Sequence, residues 1–456
     1  MSTVSKLLPK IILNRLRDTY ELLLMENQFG FRKNRSTTDA IFITREALNS
    51  TANPIFLCMI DLKAAYDHID RNLLFRVLEI RTKSPKIVNI LKSLYTGTIA
   101  AIKHTDNIFN VHTGCRQGGL ESPVIFNIYM DFVLRCAEFE VLQRFPNTGL
   151  KYSFHIKSES TNREQRYVHK ISGTDRLRML LYADDIVLFC ENIKELESIL
   201  GIYDKTFTRF GLTIALDKTK TIVFNVDESC MCSETLISLR DTPIENVRQF
   251  KYLGHMLSNE NSQTFLNHQI ASAYSKWSEM KNILLDHRIY LKTRIRYLEA
   301  CVRSRLLYSV QSWQLSAVEL NRIDTIWNGF LRRMIKGGFR RRDVPRDRDE
   351  RQQRIENNES MDWAYQVTNE RLKKLTNTTS IKSFCQIQHL KYIAHVTRLP
   401  NSSFQKQLLF STQRPGTHCH WRKISNLLGI DESQVRNTMQ RSTEFLLLLD
   451  RVLKPT

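Results

Sequence analysis

Two groups of acidic residues lie beside apolar runs, and their type and position could support catalysis. Asp61 ends the run Ile55–Ile60, and the pair Asp184-Asp185 interrupts the apolar residues of 179–189. Carboxylates next to buried apolar segments are energetically costly unless they pair with a cation. Salt bridges to the plentiful Lys and Arg side chains are one solution. A divalent-metal site is the other, because Mg²⁺ prefers a few hard carboxylate oxygens.

The charge of the chain indicates what such a metal site would act on. The 456 residues include 67 Lys and Arg against 47 Asp and Glu, which gives a net charge of +20. This surplus favours a polyanionic partner, of which nucleic acid is the commonest, over a merely soluble basic protein. Two divalent ions about 3.5–4 Å apart can activate an attacking 3′-oxygen and stabilise the departing one. Phosphodiester chemistry on nucleic acid is therefore one function that the acids could serve.

Composition excludes several other classes of protein. An apolar content of 42% with 23 Phe and 15 Tyr argues against disorder, and 15 Gly with 10 Pro argue against collagen-like or many-stranded all-β designs. Nine Cys residues without a C-x-x-C pair indicate reduced thiols in an intracellular protein, in the nucleus or the cytoplasm. The longest apolar runs are far short of the ~20 residues that a membrane span needs, so no membrane partner is expected.

Apolar spacing predicts the elements that position the acids. The run Ile55–Ile60 predicts a buried strand, and residues 179–189 predict a hairpin with the acids at its tip. The remaining predictions to residue 254 are helices at 7–24, 71–80, 84–94, 125–139 and 193–210, a hairpin or insertion at 147–173, a turn plus a strand at 212–224, and a strand at 250–254.

After about residue 260 the pattern becomes helical. Three apolar stripes at helical spacing predict a small bundle. Between residues 331 and 354, ten Lys or Arg residues and four Asp or Glu residues form a basic segment. The stripes are Ile270, Tyr274, Trp277, Met280 and Leu284; Leu291, Ile295, Leu298, Val302 and Leu306; and Leu320, Ile323, Trp327, Phe330 and Met334. The predicted domain boundaries are residues 1–257, 258–337, a basic linker 338–354, and a helical region 355–456 of unknown role.

The order of several motifs resembles that of the reverse transcriptases. Tyr182-Ala-Asp-Asp185 resembles their Y-A-D-D box, and Asp61-Leu-Lys-Ala-Ala-Tyr-Asp67 resembles D-x-x-x-A-[FY]-D. Residues 116–127 resemble the pattern R-Q-G-x-x-x-S-P-x-x-F-N, and residues 211–219 resemble G-L-x-I-N-x-x-K-T. Residues 250–254 resemble the primer grip of the family. Residues 27–32 with 38–40 are similar to the fingers motif of one branch, the non-LTR (LINE-type) retrotransposons. The helical part is a looser match.

The resemblance implies a right-hand polymerase. Its α/β (α+β) palm and fingers would occupy residues 1–257, and an all-α thumb would occupy 258–337, with a helical extension after it. The implied enzyme is an RNA-directed DNA polymerase, a nucleotidyltransferase that extends a DNA primer on an RNA template with dNTPs. Its implied cofactor is Mg²⁺, as two ions, with Mn²⁺ as a substitute. The partners would be the RNA template and the DNA primer or target, and the oligomeric state is not implied.

The resemblance also implies roles for individual side chains. Asp61, Asp184 and Asp185 would hold the metal ions, and Lys218 would be the general acid for leaving pyrophosphate unless it is simply solvated. The dNTP would be bound by Tyr66, which would exclude a ribose 2′-hydroxyl, by Gln117 and Gly118 as the floor under the base, and by Arg32 and Arg35 on phosphates. Tyr252, Leu253 and Gly254 would form the primer grip. The alternatives are a core position for Tyr66 and plain surface charge for the two arginines.

Several features depart from the family pattern. Ala215 stands where the pattern has Asn, and Glu121 occupies a position that is usually neutral and apolar. No endonuclease and no complete start of the fingers is recognised before Asn27, so we expect a polymerase core that lacks both. A catalytically inactive, nucleic-acid-binding remnant of such an element is therefore an alternative. A group II intron maturase or telomerase-like enzyme shares the metal residues but fits residues 28–31 and 251–254 less well.

Overall fold

The computed structural model describes residues 6–101, 108–159, 168–226, 235–259, 263–335, 368–411 and 417–431, with short pieces at 352–353, 356–357, 434–435, 438–439, 445–446 and 448. The chain divides into two compact units. The first comprises Met1–Glu260 and Leu399–Lys423, and the second comprises Asn261–Arg398 and Ile424–Thr456. The basic linker 338–354 lies outside the described residues except for Gln352 and Gln353.

The first unit mixes helices with short strands. Its strands are β1 Ile55–Ile60, β2 Ile99–Ala101, β3 Ile108–Asn110, β4 Leu150–Glu159, β5 Val168–Leu177, β6 Met179–Tyr182, β7 Asp185–Cys190, β8 Lys220–Phe224, β9 Thr235–Leu239, β10 Thr242–Glu245, β11 Gln249–Tyr252 and β12 His255–Ser258. Its first helices are α1 Leu7–Leu23, α2 Thr37–Leu48, α3 Ala65–His68, α4 Arg71–Thr82, α5 Pro85–Tyr95, α6 Ser122–Arg144 and α7 Ile193–Arg209. The predicted strand at β1, the hairpin β6–β7 and the helices are confirmed within a few residues.

A four-stranded antiparallel sheet in the order β6-β7-β1-β8 lies at the centre of the first unit. Strand β1 is the inner strand that ends at the acids, and all but one of its six residues are buried. Its last paired residues are Ile60, opposite Ile186 of β7, and Met59, opposite Lys220 of β8. Continuing the β7 ladder by one residue places Asp61 opposite Asp185, and continuing the β8 ladder by two residues places it opposite Lys218.

Helix α6 forms the support on which the sheet and the other helices pack. It begins at Ser122-Pro123, as predicted, because Pro at the first helical positions costs no hydrogen bond. Apolar residues surround it on nearly every side, and Phe126, Tyr129 and Leu134 are fully buried. A helix that is apolar all round must be interior. It packs against α1, α4 and α7, and this cluster is the main core of the unit.

An ion network ties α6 to the end of α1. Asp131 on α6 is 1% exposed and accepts from the Met25 amide at 2.6 Å and from Arg81 and Arg135 at 2.7 Å each. Both arginines also donate to the Leu23 carbonyl, one of the groups that a helix end leaves without an internal partner. Bonds from α6 and from Arg81 of α4 therefore hold the segment that leads from α1 into residues 27–32.

A segment from near the C-terminus completes the first unit. Strands β4 and β5 form a long ribbon, as the prediction of a hairpin at 147–173 requires, and the alternate residues Leu150, Tyr152, Phe154 and Ile156 bury one face. Helix α13, Phe404–Leu409, packs on that ribbon and on α2. The Tyr152 hydroxyl donates to Gln407 Oε1 at 2.6 Å. The predicted separate region 355–456 thus contributes to both units.

The second unit is helical where it is described. Its helices are α8 Gln263–Leu284, α9 Leu291–Tyr297, which continues as a π-helical segment Leu298–Arg303 and a last turn Ser304–Leu306, α10 Ala317–Met334, α11 Asn369–Thr376 and α12 Ile381–Arg398. The next helix after α13, α14, spans Thr417–Leu428. Trp277 stacks on Phe330 at 4.8 Å between ring centroids, and Phe265 meets Trp313 edge-on at 4.4 Å. The three apolar stripes predicted from the sequence are therefore helix faces, as expected. No helix among the described residues is long and apolar enough to cross a membrane.

Removing the Tyr152 hydroxyl should weaken the first unit. We expect Tyr152→Phe to lower the free energy of unfolding by about 1–3 kcal/mol, because Gln407 Oε1 is left buried without its donor. Urea unfolding followed by intrinsic fluorescence measures this change. Tyr290→Phe is the matched control, since Tyr290 is 85% exposed. Equal midpoints for the two variants would show that α13 does not stabilise the ribbon.

Candidate active site

One pocket brings together five of the predicted site residues. It has a volume of about 220 Å³ and lies where β1, β7 and the hairpin β11–β12 meet. Predicted residues that line it are Asp61, Asp185, Lys218, Tyr252 and Leu253. The sheet register explains the first three, because they are neighbours at the ends of adjacent strands.

Backbone hydrogen bonds fix Asp61 while leaving part of its carboxylate free. Its amide donates to Thr219 Oγ1 at 3.3 Å, and its carbonyl accepts from the Ala215 amide at 2.9 Å. Its Oδ2 atom is buried without a hydrogen bond, and Lys218 Nζ lies 3.6 Å away. Lys218 is 66% exposed, so this ion pair is weak.

Asp184 lies in the tight turn of the β6–β7 hairpin. Tyr182 pairs with Asp185, which leaves Ala183 and Asp184 as a two-residue loop. Ala183 has φ +60°, in the left-handed region that residues with a Cβ rarely adopt. Such a residue costs of order 1–3 kcal/mol and persists only where the surroundings enforce it. The turn that carries the acids is therefore held by its neighbours.

Neighbouring negative charges affect the titration of Asp184 and Asp185. Desolvation, followed by the negative charges of Asp184 and Asp61, raises the pKa of Asp185 to about 6, although the residue is open to the pocket. Desolvation and the charge of Asp61 likewise raise the pKa of Asp184, against the lowering effect of a backbone hydrogen bond. Like charges held close together disfavour ionisation. The site is thus short of positive charge.

The carboxylates of the site are suitable ligands for a hard cation, but their side chains are not arranged around a single point. Carboxylate oxygens without hydrogen-bond donors are ligands of the kind that Mg²⁺ takes. In the described part of the chain, however, no group of three His, Cys, Asp or Glu side chains is arranged closely enough to hold a metal ion. The chemistry of the residues therefore fits the predicted metal, while the present side-chain geometry does not form a finished site.

Tyr66 lies within electrostatic reach of Asp184. Its ring stacks on Phe126 with 3.9 Å between centroids and an angle of 7°. Its hydroxyl is buried without a hydrogen-bond partner, and desolvation followed by the charge of Asp184 raises its pKa. The stack on Phe126 therefore fixes the orientation of the ring.

Gln117 and Gly118 form a neighbouring surface that does not line the pocket. Gln117 Nε2 donates to Asp67 Oδ1 at 3.0 Å, and the Cys115 amide donates to the Tyr66 carbonyl at 2.7 Å. Gly118 has φ +77°, and a Cβ there would meet nothing within 4 Å. Both residues are exposed. The predicted nucleotide floor is therefore open and tied to the turn that carries Tyr66.

Arg32 and Arg35 have partners within the first unit. Arg32 is 7% exposed and donates to the Met25 carbonyl at 2.8 Å and to Glu21 Oε2 at 3.1 Å. Arg35 pairs with Glu26 at 2.6 Å and lies over the Phe29 ring. These contacts cap the end of α1 and fix the following loop. Neither arginine lines the pocket, and their phosphate-binding role stays a prediction.

The predicted primer grip is a second tight hairpin. Tyr252 pairs with His255, so Leu253 and Gly254 form the loop, with φ +48° and +81°. A loop with positive φ at both positions is the primed turn type that strand twist favours, and Gly suits it best. The Tyr252 hydroxyl is buried without a hydrogen bond in this structure, and desolvation followed by the charge of Asp185 raises its pKa.

The two departures from the family pattern have different consequences. Ala215 is buried, and its amide and carbonyl bond to the Asp61 carbonyl and the Thr219 amide, so the missing Asn side chain does not release this segment. Glu121 is fully buried, and both carboxylate oxygens lack hydrogen bonds. Arg116 Nη1 lies 3.7 Å from Glu121 Oε1. The extra carboxylate is thus an interior group next to Arg116 and Gly119.

Sequence reasoning missed the support that the N-terminal motif gives to the acidic hairpin. The Phe29 amide donates to the Leu181 carbonyl at 2.8 Å, and the Leu181 amide donates to the Asn27 carbonyl at 3.0 Å. Residues 27–29 therefore extend the sheet beyond β6 in the parallel direction. A Cβ on Gly30 would lie 2.5 Å from the Ala183 amide nitrogen. The co-occurrence of the motifs around Gly30 and Asp184 was the one signal available.

Comparison with known proteins gives one family over more than half of the chain. The family described as reverse transcriptase (RNA-dependent DNA polymerase) matches residues 1–257. A probable RNA-directed DNA polymerase from transposon BS of Drosophila melanogaster is 24% identical over 355 residues, which cover 73% of this chain and 35% of the relative. The Pol polyprotein from type-1 retrotransposable element R2 of Nasonia vitripennis, named as retrovirus-related, is 22% identical and matches 44% of this chain and 18% of its own length. This chain thus spans about a third or less of these relatives.

Solved structures show a more distant likeness. Apo telomerase from Candida tropicalis aligns with 98% of this chain and 61% of its own, at 11% sequence identity and a TM-score of 0.38. A likeness of this size supports no residue-level correspondence.

The close approach of Gly30 to the acidic turn predicts a large effect of one methyl group. We expect Gly30→Ala to lower the free energy of unfolding by about 1–3 kcal/mol, since backbone atoms of Tyr182 and Ala183 must move. Gly201→Ala on α7 is the control, because a Cβ there would meet nothing within 4 Å. We expect Gly201→Ala to raise the free energy of unfolding by about 0.5–1 kcal/mol, as at other glycines inside helices. Urea unfolding compares the two, and equal shifts would contradict the proposed contact.

The raised pKa of Asp185 predicts a pH-dependent cost to stability. The pKa is about 6 in the folded chain against an ordinary value of 3.8, so between these values the folded chain binds more protons than the unfolded one. Stability therefore falls as the pH rises through this window. Without metal ions, Asp185→Asn should be more stable than the wild type above pH 6 and lose that advantage near pH 4.

Urea midpoints at pH 7.5 and pH 4 in EDTA measure this difference. Asp217→Asn, an exposed acid near the pocket, should shift the midpoint equally at both pH values. A pH-independent effect of Asp185→Asn would refute the assigned coupling.

Proposed function

Because the chain belongs to the reverse transcriptase family, we propose that it is the RNA-directed DNA polymerase of a non-LTR retrotransposon. The reaction would extend a DNA primer on an RNA template by nucleotidyl transfer. The observation that carries this proposal is the register that brings Asp61, Asp185 and Lys218 to one pocket, with Asp184 in the adjoining turn. The two retrotransposon and transposon proteins among the relatives support the class of element.

Asp61, Asp184 and Asp185 would hold two Mg²⁺ ions, or Mn²⁺ in their place. The chemistry that these ions supply when bound is activation of the primer 3′-hydroxyl and neutralisation of phosphate charge. Desolvation and neighbouring negative charge already disfavour the ionised state of Asp184 and Asp185. A bound cation would relieve the repulsion between these charges. Because the backbone of Asp61 is fixed, its carboxylate would set the position of that cation.

Other residues of the chain would position the reactants. Lys218, mobile enough at 66% exposure to leave Asp61, would donate a proton to the departing pyrophosphate. The stacked ring of Tyr66 would exclude a ribose 2′-hydroxyl and so favour dNTPs. Gln117 and Gly118 would support the nucleotide and its template base. Tyr252, Leu253 and Gly254 would support the primer end.

The proposed architecture is a right-hand polymerase. The sheet β6-β7-β1-β8 with α6 would be the palm, the segments before β1 would belong to the fingers, and the helices of residues 258–337 would be the thumb, with a helical extension after it. The net charge of +20 suits an RNA–DNA duplex and predicts binding that weakens steeply with salt. An intracellular location in the nucleus or the cytoplasm would give access to both nucleic acids.

A second candidate is a nucleic-acid-binding remnant without activity. The observation that favours it is the lack of a three-ligand arrangement among the described acidic, histidine and cysteine side chains. Such a protein would keep the basic surface and the fold while failing to gather its carboxylates around a metal ion.

Primer extension distinguishes the two candidates. Full-length protein with Mg²⁺, dNTPs and an annealed RNA template and DNA primer should extend the primer. We expect Asp184→Ala to reduce the rate by at least about 1,000-fold, the scale on which loss of metal-centred charge stabilisation acts. Asp217→Ala, an exposed acid outside the proposed metal set, should retain the wild-type rate. If wild type and Asp184→Ala bind the duplex equally and neither extends it, the remnant is the correct assignment.

A further inference from the structure

A side chain from outside the hairpin bonds to the turn that carries Asp184. Gln28 is 1% exposed, and its Oε1 atom accepts from the Gly30 amide at 2.9 Å and from the Ala183 amide at 3.2 Å. Ala183 directly precedes Asp184. A single buried amide oxygen thus joins the N-terminal motif to the acidic turn.

We propose that Gln28 is a positioning residue, which holds the Ala183–Asp184 turn in the conformation that presents Asp185 to the pocket and keeps Asp184 beside it. The inference rests on the proposed function, because the position of Asp184 and Asp185 matters for catalysis only if they bind the metal ions. Gln28 itself contacts no substrate.

The surrounding backbone leaves the Gln28 side chain little freedom to move away. Gln28 bridges to Leu181 in the parallel direction, and the flanking residues Asn27 and Phe29 both bond to the Leu181 backbone. Strand β6 is therefore paired on one edge with β7 and on the other with residues 27–29. Gly30 permits the close approach, since any Cβ there would overlap the turn.

The turn needs an acceptor at this position for a physical reason. Ala183 has φ +60°, which is strained for a residue with a Cβ, and its amide is buried. Without Gln28, that amide would be a buried donor with no acceptor, and the turn could relax towards an ordinary conformation. Glu has the same length and can accept both bonds, whereas Met fills the space and can accept neither. These two substitutions separate the acceptor from the volume.

Steady-state primer extension by the full chain tests the catalytic consequence. We expect Gln28→Met to lower kcat about 10- to 100-fold, since small misplacements of reacting groups cost that much. The KM for dNTP and the Kd for the duplex should change less than about twofold, because the substitution removes no contact with the dNTP or with the duplex. The Mg²⁺ concentration for half-maximal rate should rise. Gln28→Glu should restore most of kcat.

Hydrogen exchange across residues 182–185 tests the turn itself, whether or not the chain is active. We expect exchange in Gln28→Met to be at least about tenfold faster than in the wild type, because the hydrogen bond from the Ala183 amide to Gln28 Oε1 is lost. Asn27→Ala is the matched control. It loses a bond from Nδ2 to the Met179 carbonyl in the same segment, but not the contact with the turn, so exchange at 182–185 should stay at the wild-type rate.

The outcomes separate this inference from the proposed function. Wild-type exchange and wild-type kinetics in Gln28→Met would overturn the inference while leaving the polymerase intact. Exchange at 182–185 in Gln28→Glu as fast as in Gln28→Met would also overturn it, because the acceptor would then be irrelevant. If Gln28→Met does not fold, wild-type exchange with retained kcat in Gln28→Glu supports the acceptor role. An inactive wild type with fast exchange in Gln28→Met would refute the proposed function but support the positioning role.

Discussion

The first unit depends on β1, a buried strand that is hydrogen-bonded along both edges and is followed directly by the charged side chain of Asp61. Strand β1 is buried and bonded along both edges, so its register fixes the position of Asp61 between Asp185 and Lys218. Placing carboxylates at the end of an apolar sheet destabilises the folded chain unless a cation is present. A polymerase site of the proposed kind gains from that same feature, because the uncompensated charge is what attracts the metal ion.

Several segments far apart in sequence share the task of holding this arrangement. Residues 27–30 pair with β6 and contact its turn, while residues 213–215 pair with the chain just after Asp61. The links are mostly backbone hydrogen bonds, so they depend on conformation more than on side-chain identity. This explains why Ala215 can replace the Asn of the family pattern without freeing its segment. It also explains why Gly30, at a backbone contact, admits no larger residue without movement.

The sequence allowed accurate prediction of the strands and helices that carry apolar periodicity. Strand β1, the acidic hairpin, α6 and the three stripes of the second unit were all predicted, because burial on one face or on all faces leaves a readable pattern. Asp61, Asp184 and Asp185 were singled out by their apolar context and their motifs, and the register groups Asp61 with Asp185, while their metal-binding role stays a prediction. The partners of Arg32 and Arg35 were not predictable. Arg32 binds the Glu21 carbonyl near the end of α1 and Arg35 pairs with Glu26, and no local pattern distinguishes such contacts from phosphate binding. The return of α13 to the first unit was equally invisible, since contacts between distant segments leave no periodic trace.

That return has a consequence for how the chain is made. Tyr152 and Gln407 are 255 residues apart in sequence, yet their side chains meet in the interior of one unit. Contacts of such long range slow folding, because a large loop must close before they form. A chain that emerges from the ribosome N-terminus first cannot complete its first unit until Gln407 has left the exit tunnel. During that interval the apolar face of the β4–β5 ribbon is without its cover. A nascent chain of this protein therefore carries that apolar face uncovered until the segment of α13 has been synthesised.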